Sequence, residues 1–266
     1  MVNEFFTKQG TIKLTLKRIL LKDPYNYSFI DESSKLQGFK FCKKKYVTIK
    51  SINNSKIIIG RNVVLKNVSI NCNNNSELII GDDVRIENAV IKLDNNSKCK
   101  LGNNCIIGSL SNSPLSFYLN NGQMQIGEMS KLMLDKIQVR FGGCLNIGRY
   151  GGFGNRSEIR CDQKIDIGNF CLCSYNVSIY DTNVHSVDPG KREEWIIDQF
   201  PQGLTDLEKP KTDPVILGDN LWIGKNAVIL KGSEIASASV IGINAVLSNI
   251  KDKTPKTYVS NKPISF

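Results

Sequence analysis

A chain of 266 residues with 41% hydrophobic composition carries enough apolar material for a sizeable core, which excludes a disordered chain. Its formal charge of +10 favours an anionic partner without naming one. No run of about 18 apolar residues is present to span a bilayer, and the opening MVNEFFTKQGTIKLTLKRILLK lacks a continuous apolar stretch followed by a cleavage site. The expectation is a cytoplasmic protein with no transmembrane segment.

Residues 1–45 are mixed, lysine-rich and without period. From there the chain repeats. IIIG, LIIG and CKLG end at Gly60, Gly81 and Gly102, 21 residues apart, each preceded by an asparagine-rich turn: INNSK, NNNSE and DNNSK. Aliphatic-glycine pairs recur at Ile126-Gly127, Ile147-Gly148 and Ile167-Gly168. A charged interval with Pro189, Pro201 and Pro210 interrupts the pattern at about 183–212. From Leu217 to Leu247 every sixth residue is then aliphatic (Leu217, Ile223, Ile229, Ile235, Ile241, Leu247), and the residue four places on is mostly small, as at Ala227, Ser233, Ser239 and Ala245.

A six-residue period matches neither the alternation of an ordinary strand nor the 3.6 of a helix. It fits a short strand plus a turn, three such units making one triangular coil and the coils stacking. The prediction is an all-β parallel β-helix over residues 46–250, with a protruding loop at 183–212. Residues 1–45 are expected to form an N-terminal cap and 251–266 a C-terminal tail outside the repeat. The 21-residue step adds three residues to a coil of three hexads, placed at the NNS turns, where left-handed backbone is tolerated. The eight cysteines show no CxxC spacing and lie mostly in apolar stretches, so they read as small core residues rather than a zinc cluster or disulfide framework.

The run IDIGNFCLCSYNVSIYDTNVHSVD and, after the loop, PVILGDNLWIGKNAVILKGSEIASASVIGINAVL closely resemble the hexapeptide-repeat acyltransferases, whose β-helix is left-handed, and especially the O-acetyltransferases of sugars and bacterial surface polysaccharides. The detailed match covers roughly residues 140–262. The resemblance implies a homotrimer, acetyl-CoA as donor, an active site between neighbouring subunits and the loop histidine as general base. It also implies that Trp222 lines the acetyl-CoA channel, and that the stretch holding Asn155 and Asp162, with Asn176 ahead of the histidine, contacts the acceptor. Relatives commonly read GAGSVVTKDIPP and then GNPAKVI where this chain has GINAVLSNIKDK and SNKPISF, so Asn249 and Ile243 depart from the family pattern.

Chemistry points to the same histidine. A sugar hydroxyl attacking a thioester needs a positioned group that takes its proton, and His185 is the one imidazole in the chain. Asp181 and Asp188 both lie close enough in sequence to orient its second nitrogen, and the choice between them stays open. Coenzyme A carries phosphates that call for backbone amides and cations. The candidates are Lys225, Ser248 and Lys262, with Gly224 and Gly242 allowing close approach. In KREEW, Arg192 suits an acidic sugar and Trp195 suits stacking on a sugar ring.

The expected activity is that of an acetyl-CoA-dependent sugar or polysaccharide O-acetyltransferase working by direct transfer. Alternatives are an N-acetyltransferase of an amino sugar or nucleotide sugar, and a non-enzymatic β-helix scaffold. A γ-class carbonic anhydrase needs three zinc-binding histidines, so no metal is expected. No nucleic-acid-reading motif is present, so no nucleic-acid partner is expected either.

Overall fold

The computed structural model describes residues 25–109, 113–199 and 209–259. Over these the chain forms a parallel β-solenoid of about 10 turns with one short helix, the architecture that the hexad period predicts. Nine short strands, from Lys35–Gln37 to Glu234–Ile235, stack in parallel as the first face. The second and third faces merge into one 17-stranded sheet. They merge because three long strands, Lys43–Ile52, Val64–Asn73 and Arg85–Asp94, run unbroken round the corner between them. Tyr46, Asn67 and Asn88 make that bend with φ of 57°, 52° and 52°.

The register explains the sequence spacing. On the first face Lys35 stacks on Lys56, Lys56 on Glu77 and Glu77 on Lys98, each a step of 21 residues. Near the far end Ile216 stacks on Glu234, a bare three-hexad coil. Between Ile165 and Val215 the step is 50 residues, and the surplus is the loop.

Inward side chains form continuous columns. Along the third face Ile49, Ile70, Ile91, Phe117, Ile137, Ile159, Ile179 and Ile229 sit in register and are all buried. Each contributes about 1.5–3 kcal/mol on burial. The NNS turns form one corner, where Asn53, Asn54, Asn74, Asn75, Asn95 and Asn96 hold positive φ. Asn tolerates this region because its short side chain hydrogen-bonds locally. Here it bonds between coils: Asn53 Nδ2 donates to Asn74 Oδ1 at 2.7 Å and Asn54 Nδ2 to Asn75 Oδ1 at 2.9 Å. All eight cysteines are free thiols; seven are buried and Cys144 is half-buried.

The solenoid extends past both predicted ends. Asn26–Ile30 already stacks in parallel on Lys43–Ile52, so residues expected in the cap form a first coil. The period is hidden there because Asn26, Leu36 and Phe39 fill inward places; Asn26 is buried and its Oδ1 accepts the Val47 N–H at 3.0 Å. At the other end Thr257–Tyr258 pairs with Val240–Ile241, and Lys251 bridges Glu234. The tail therefore adds a partial turn, since a backbone ladder needs no hexad side chains.

Candidate functional site

Strand Ser178–Tyr180 of the third face leads into the loop. The loop's two limbs are clasped at the neck: Asn183 N–H donates to Lys211 O at 3.1 Å, Asp213 N–H to Asp181 O at 3.0 Å, and Thr182 and Thr212 form an antiparallel bridge between them. Just beyond the clasp, His185 N–H donates to Asn183 O at 2.8 Å across Val184, whose φ is 68°. This is the positive-φ γ-turn, a rare and strained conformation, and it is held by a β-branched residue that ordinarily avoids φ > 0. The turn sets the direction in which the imidazole leaves the chain.

The loop then forms helix α1 (Pro189–Gln199). Asp188 caps it, its Oδ1 accepting the Lys191 N–H at 3.2 Å, and Pro189 takes the first helical position, where no N–H is needed. Arg192 Nη1 folds back onto the carbonyls of Ser186 and Val187 at 3.1 and 2.6 Å. Trp195, in the second turn of the helix, packs on the imidazole with ring centroids 4.6 Å apart and planes tilted by 56°. His185 lines a cleft of about 240 Å³ with Trp195, Val184, Pro210 and four cations, Lys191, Arg192, Lys209 and Lys211. No carboxylate lines it among the described residues.

The two aspartates expected to orient His185 are engaged elsewhere. Asp181 is wholly buried; its Oδ1 accepts the Asp162 N–H at 2.8 Å and its Oδ2 accepts the N–H groups of Gln163 and Lys164 at 2.8 and 2.7 Å. It hooks the loop neck onto the coil beneath. Burial pushes its carboxyl above the ordinary value, against those three donors. Asp188 is occupied as a helix cap. Among the described residues nothing hydrogen-bonds either imidazole nitrogen, so the ring is placed by the γ-turn and by Trp195. Asp162, expected at the acceptor, is also fully buried. It takes a bidentate pair from Arg140, Nε to Oδ1 at 2.9 Å and Nη2 to Oδ2 at 2.8 Å. Stacking does bring Asp162 one coil below the loop, but it points it into the corner.

The other candidates divide between different parts of the prism. Asn155, Asn176 and Lys225 come together, with Arg156, Tyr175 and Asn226, in a polar pocket at a corner that does not include His185. Trp222 is 58% exposed on the second face, in register with the exposed Leu172. Gly224 and Gly242 are required where successive coils approach closely. A Cβ on Gly224 would lie 2.8 Å from the backbone of Gly242, and one on Gly242 would lie 2.8 Å from Tyr258 O. Ser248 is exposed, and Lys262 lies outside the described residues. Sequence inspection missed Val184, Lys209 and Lys211. The two lysines sit in EKPKT, a basic mirror of KREEW across the loop, and that symmetry was the available signal. Strain at Val184 has no sequence signature.

No protein-family model matches the chain. Solved structures do. A polysialic-acid-specific acetyltransferase, NeuO, is 16% identical, covering 88% of this chain and 80% of its own, with a TM-score of 0.42. The polysialic acid O-acetyltransferase OatWY is 22% identical over 88% of this chain and 78% of its own, with a TM-score of 0.36. The UDP-N-acetylglucosamine acyltransferase of Francisella novicida is 17% identical over 82% and 68%, with a TM-score of 0.41. All three TM-scores lie below 0.5, and what the site can do rests on the residues of this chain. Among the described residues no helix is long and apolar enough to cross a membrane, and no three His, Cys, Asp or Glu side chains converge on a common point.

Proposed function

We propose that the protein is an acetyl-CoA-dependent O-acetyltransferase whose acceptor is a negatively charged sugar or surface polysaccharide. The observation that carries this is the single imidazole, held out by a strained γ-turn at the clasped neck of a loop and facing a cleft with four cations. Backbone strain persists where surrounding structure over-determines it, and such places cluster at functional sites. Neutral His185 takes the proton from the acceptor hydroxyl as its oxygen attacks the thioester carbonyl. Collapse of the tetrahedral intermediate expels the coenzyme A sulfur, which recovers that proton from the imidazolium. The cations favour an acceptor bearing carboxylate or phosphate.

Transfer is direct. Burial raises the thiols of Cys161, Cys171 and Cys173 above their ordinary value, which leaves them protonated and unfit as nucleophiles. The donor side fits Trp222 and Lys225, both exposed near the second face, whereas the two glycines are closed by stacking. Because the second face and the His185 cleft are separate in one chain, we place Trp222 of one copy against His185 of the next in a trimer.

The deciding test is release of free coenzyme A thiol from acetyl-CoA in the presence of neutral and acidic oligosaccharides. Acceptor-dependent release should fall by on the order of 10²-fold or more in His185→Ala, with acetyl-CoA binding retained. Failure of the folded wild type to bind acetyl-CoA would put a scaffold role in its place.

A further inference from the structure

The net charge of the protein is concentrated at one end. Residues 33–76 hold nine cations, Lys35, Lys40, Lys43, Lys44, Lys45, Lys50, Lys56, Arg61 and Lys66, and not one Asp or Glu, against a formal charge of +10 for the whole chain. The register puts this stretch in the first coils of the solenoid. Lys56, Arg61 and Lys66 are neutralised by Glu77, Asp82 and Glu87 of the following coil. Among the described residues the cations of the first coil have no such layer beyond them.

Aromatic rings project from the same coil. In FKFCKKKY, Phe39 and Cys42 turn inward and are buried, while Phe41 is 73% and Tyr46 48% exposed. Tyr25 packs edge-on against Tyr46 at 5.2 Å and is itself exposed, as is Tyr27 on the neighbouring strand. Lys40 lies over the Phe41 ring at 4.9 Å and Lys45 over the Tyr46 ring at 5.2 Å. Lys44 differs: its ammonium donates to Phe39 O and Cys42 O, so it ties the corner together. Exposed Tyr25, Tyr27, Phe41 and Tyr46 contribute nothing to the core, and such a cluster of aromatics beside lysines marks an interaction surface.

We infer that this first coil docks onto an anionic lipid bilayer. Lysines supply attraction to a negative surface, and convex aromatic side chains with apolar bodies enter the headgroup region. The patch is built from lysine point charges rather than the planar forks that read a defined phosphate or base. The inference is independent of acyl transfer. Seven strand spacings of about 4.8 Å separate Asn26–Ile30 from Ser178–Tyr180, the strand that leads into the loop, so docking by the first coil holds that strand about 34 Å away.

The experiment is co-sedimentation of the full chain with phosphatidylcholine vesicles, with and without phosphatidylglycerol, across a salt series. Binding is expected only to the anionic vesicles and should weaken with salt. Lys40→Gln/Lys43→Gln/Lys45→Gln should lower the partition coefficient by on the order of 100-fold, given the attraction contributed by each lysine near such a surface. Lys98→Gln/Lys100→Gln/Lys164→Gln, on the first face and with the same change in net charge, should bind as wild type. Phe41→Ala/Tyr46→Ala should lose vesicle binding but keep its retention on heparin. No binding of wild type to anionic vesicles, equal loss in both lysine variants, or full vesicle binding by Phe41→Ala/Tyr46→Ala would each overturn the proposal, the last pointing to a polyanion site instead. Thermal denaturation of each variant confirms that it is folded.

Discussion

Val184 is the most informative single residue because its conformation opposes its chemistry. A β-branched side chain at φ 68° stores strain of about 1–3 kcal/mol, and glycine there would release it at an entropic cost of about 0.5–1 kcal/mol. Val184→Gly is therefore expected to leave the melting temperature unchanged or raise it. Acetyl transfer should nonetheless fall about tenfold, because His185 is then held less narrowly. Calorimetry alongside the thiol-release assay checks both halves, and a joint loss of stability and activity would make the turn merely structural. His185 itself was legible in the sequence as the one imidazole at a break in the repeat. Its orienting partners were not, because proximity in sequence to Asp181 and Asp188 says nothing about which way a buried or capping side chain points.

At the scale of the element, the corner beneath the loop carries the least replaceable interactions. Arg140 pairs with Asp162, Asp162 offers its N–H to Asp181, and Asp181 ties the loop neck to the solenoid. Removing one partner of a buried ion pair leaves the other uncompensated and typically costs about 3–5 kcal/mol. Asp162→Asn should therefore lower the urea midpoint markedly without changing the apparent affinity for acceptor in whatever fraction stays folded. A raised KM at unaltered stability would restore Asp162 to the acceptor site. The periodic strands were legible because aliphatic residues repeat with the coil. The buried pair was not, since Arg140 and Asp162 lie 22 residues apart in a part of the chain where the step between coils varies from 20 to 25.

For the whole molecule, the prism puts the two groups assigned to the proposed site on different faces. His185 belongs to a loop leaving the third face, and Trp222 lies on the second. If the site is shared between copies, mixed oligomers of His185→Ala and Trp222→Ala chains should regain thiol release that neither variant shows alone. Absence of recovery in verified mixed oligomers would put both residues to work within one chain. The concentration of charge in the first coils belongs to this scale too, because only stacking turns a lysine-rich stretch into one end of a rod.

By itself, the sequence determined the solenoid and the buried cysteines, because both follow from a period that burial imposes residue by residue. The tertiary structure alone decided which faces the candidates occupy, that Gly224 and Gly242 are closed by neighbouring coils, and that Asp162 and Asp181 face inward. A stacked coil brings together residues from steps of unequal length, and side-chain direction at a corner depends on backbone φ, which a hexad pattern does not record.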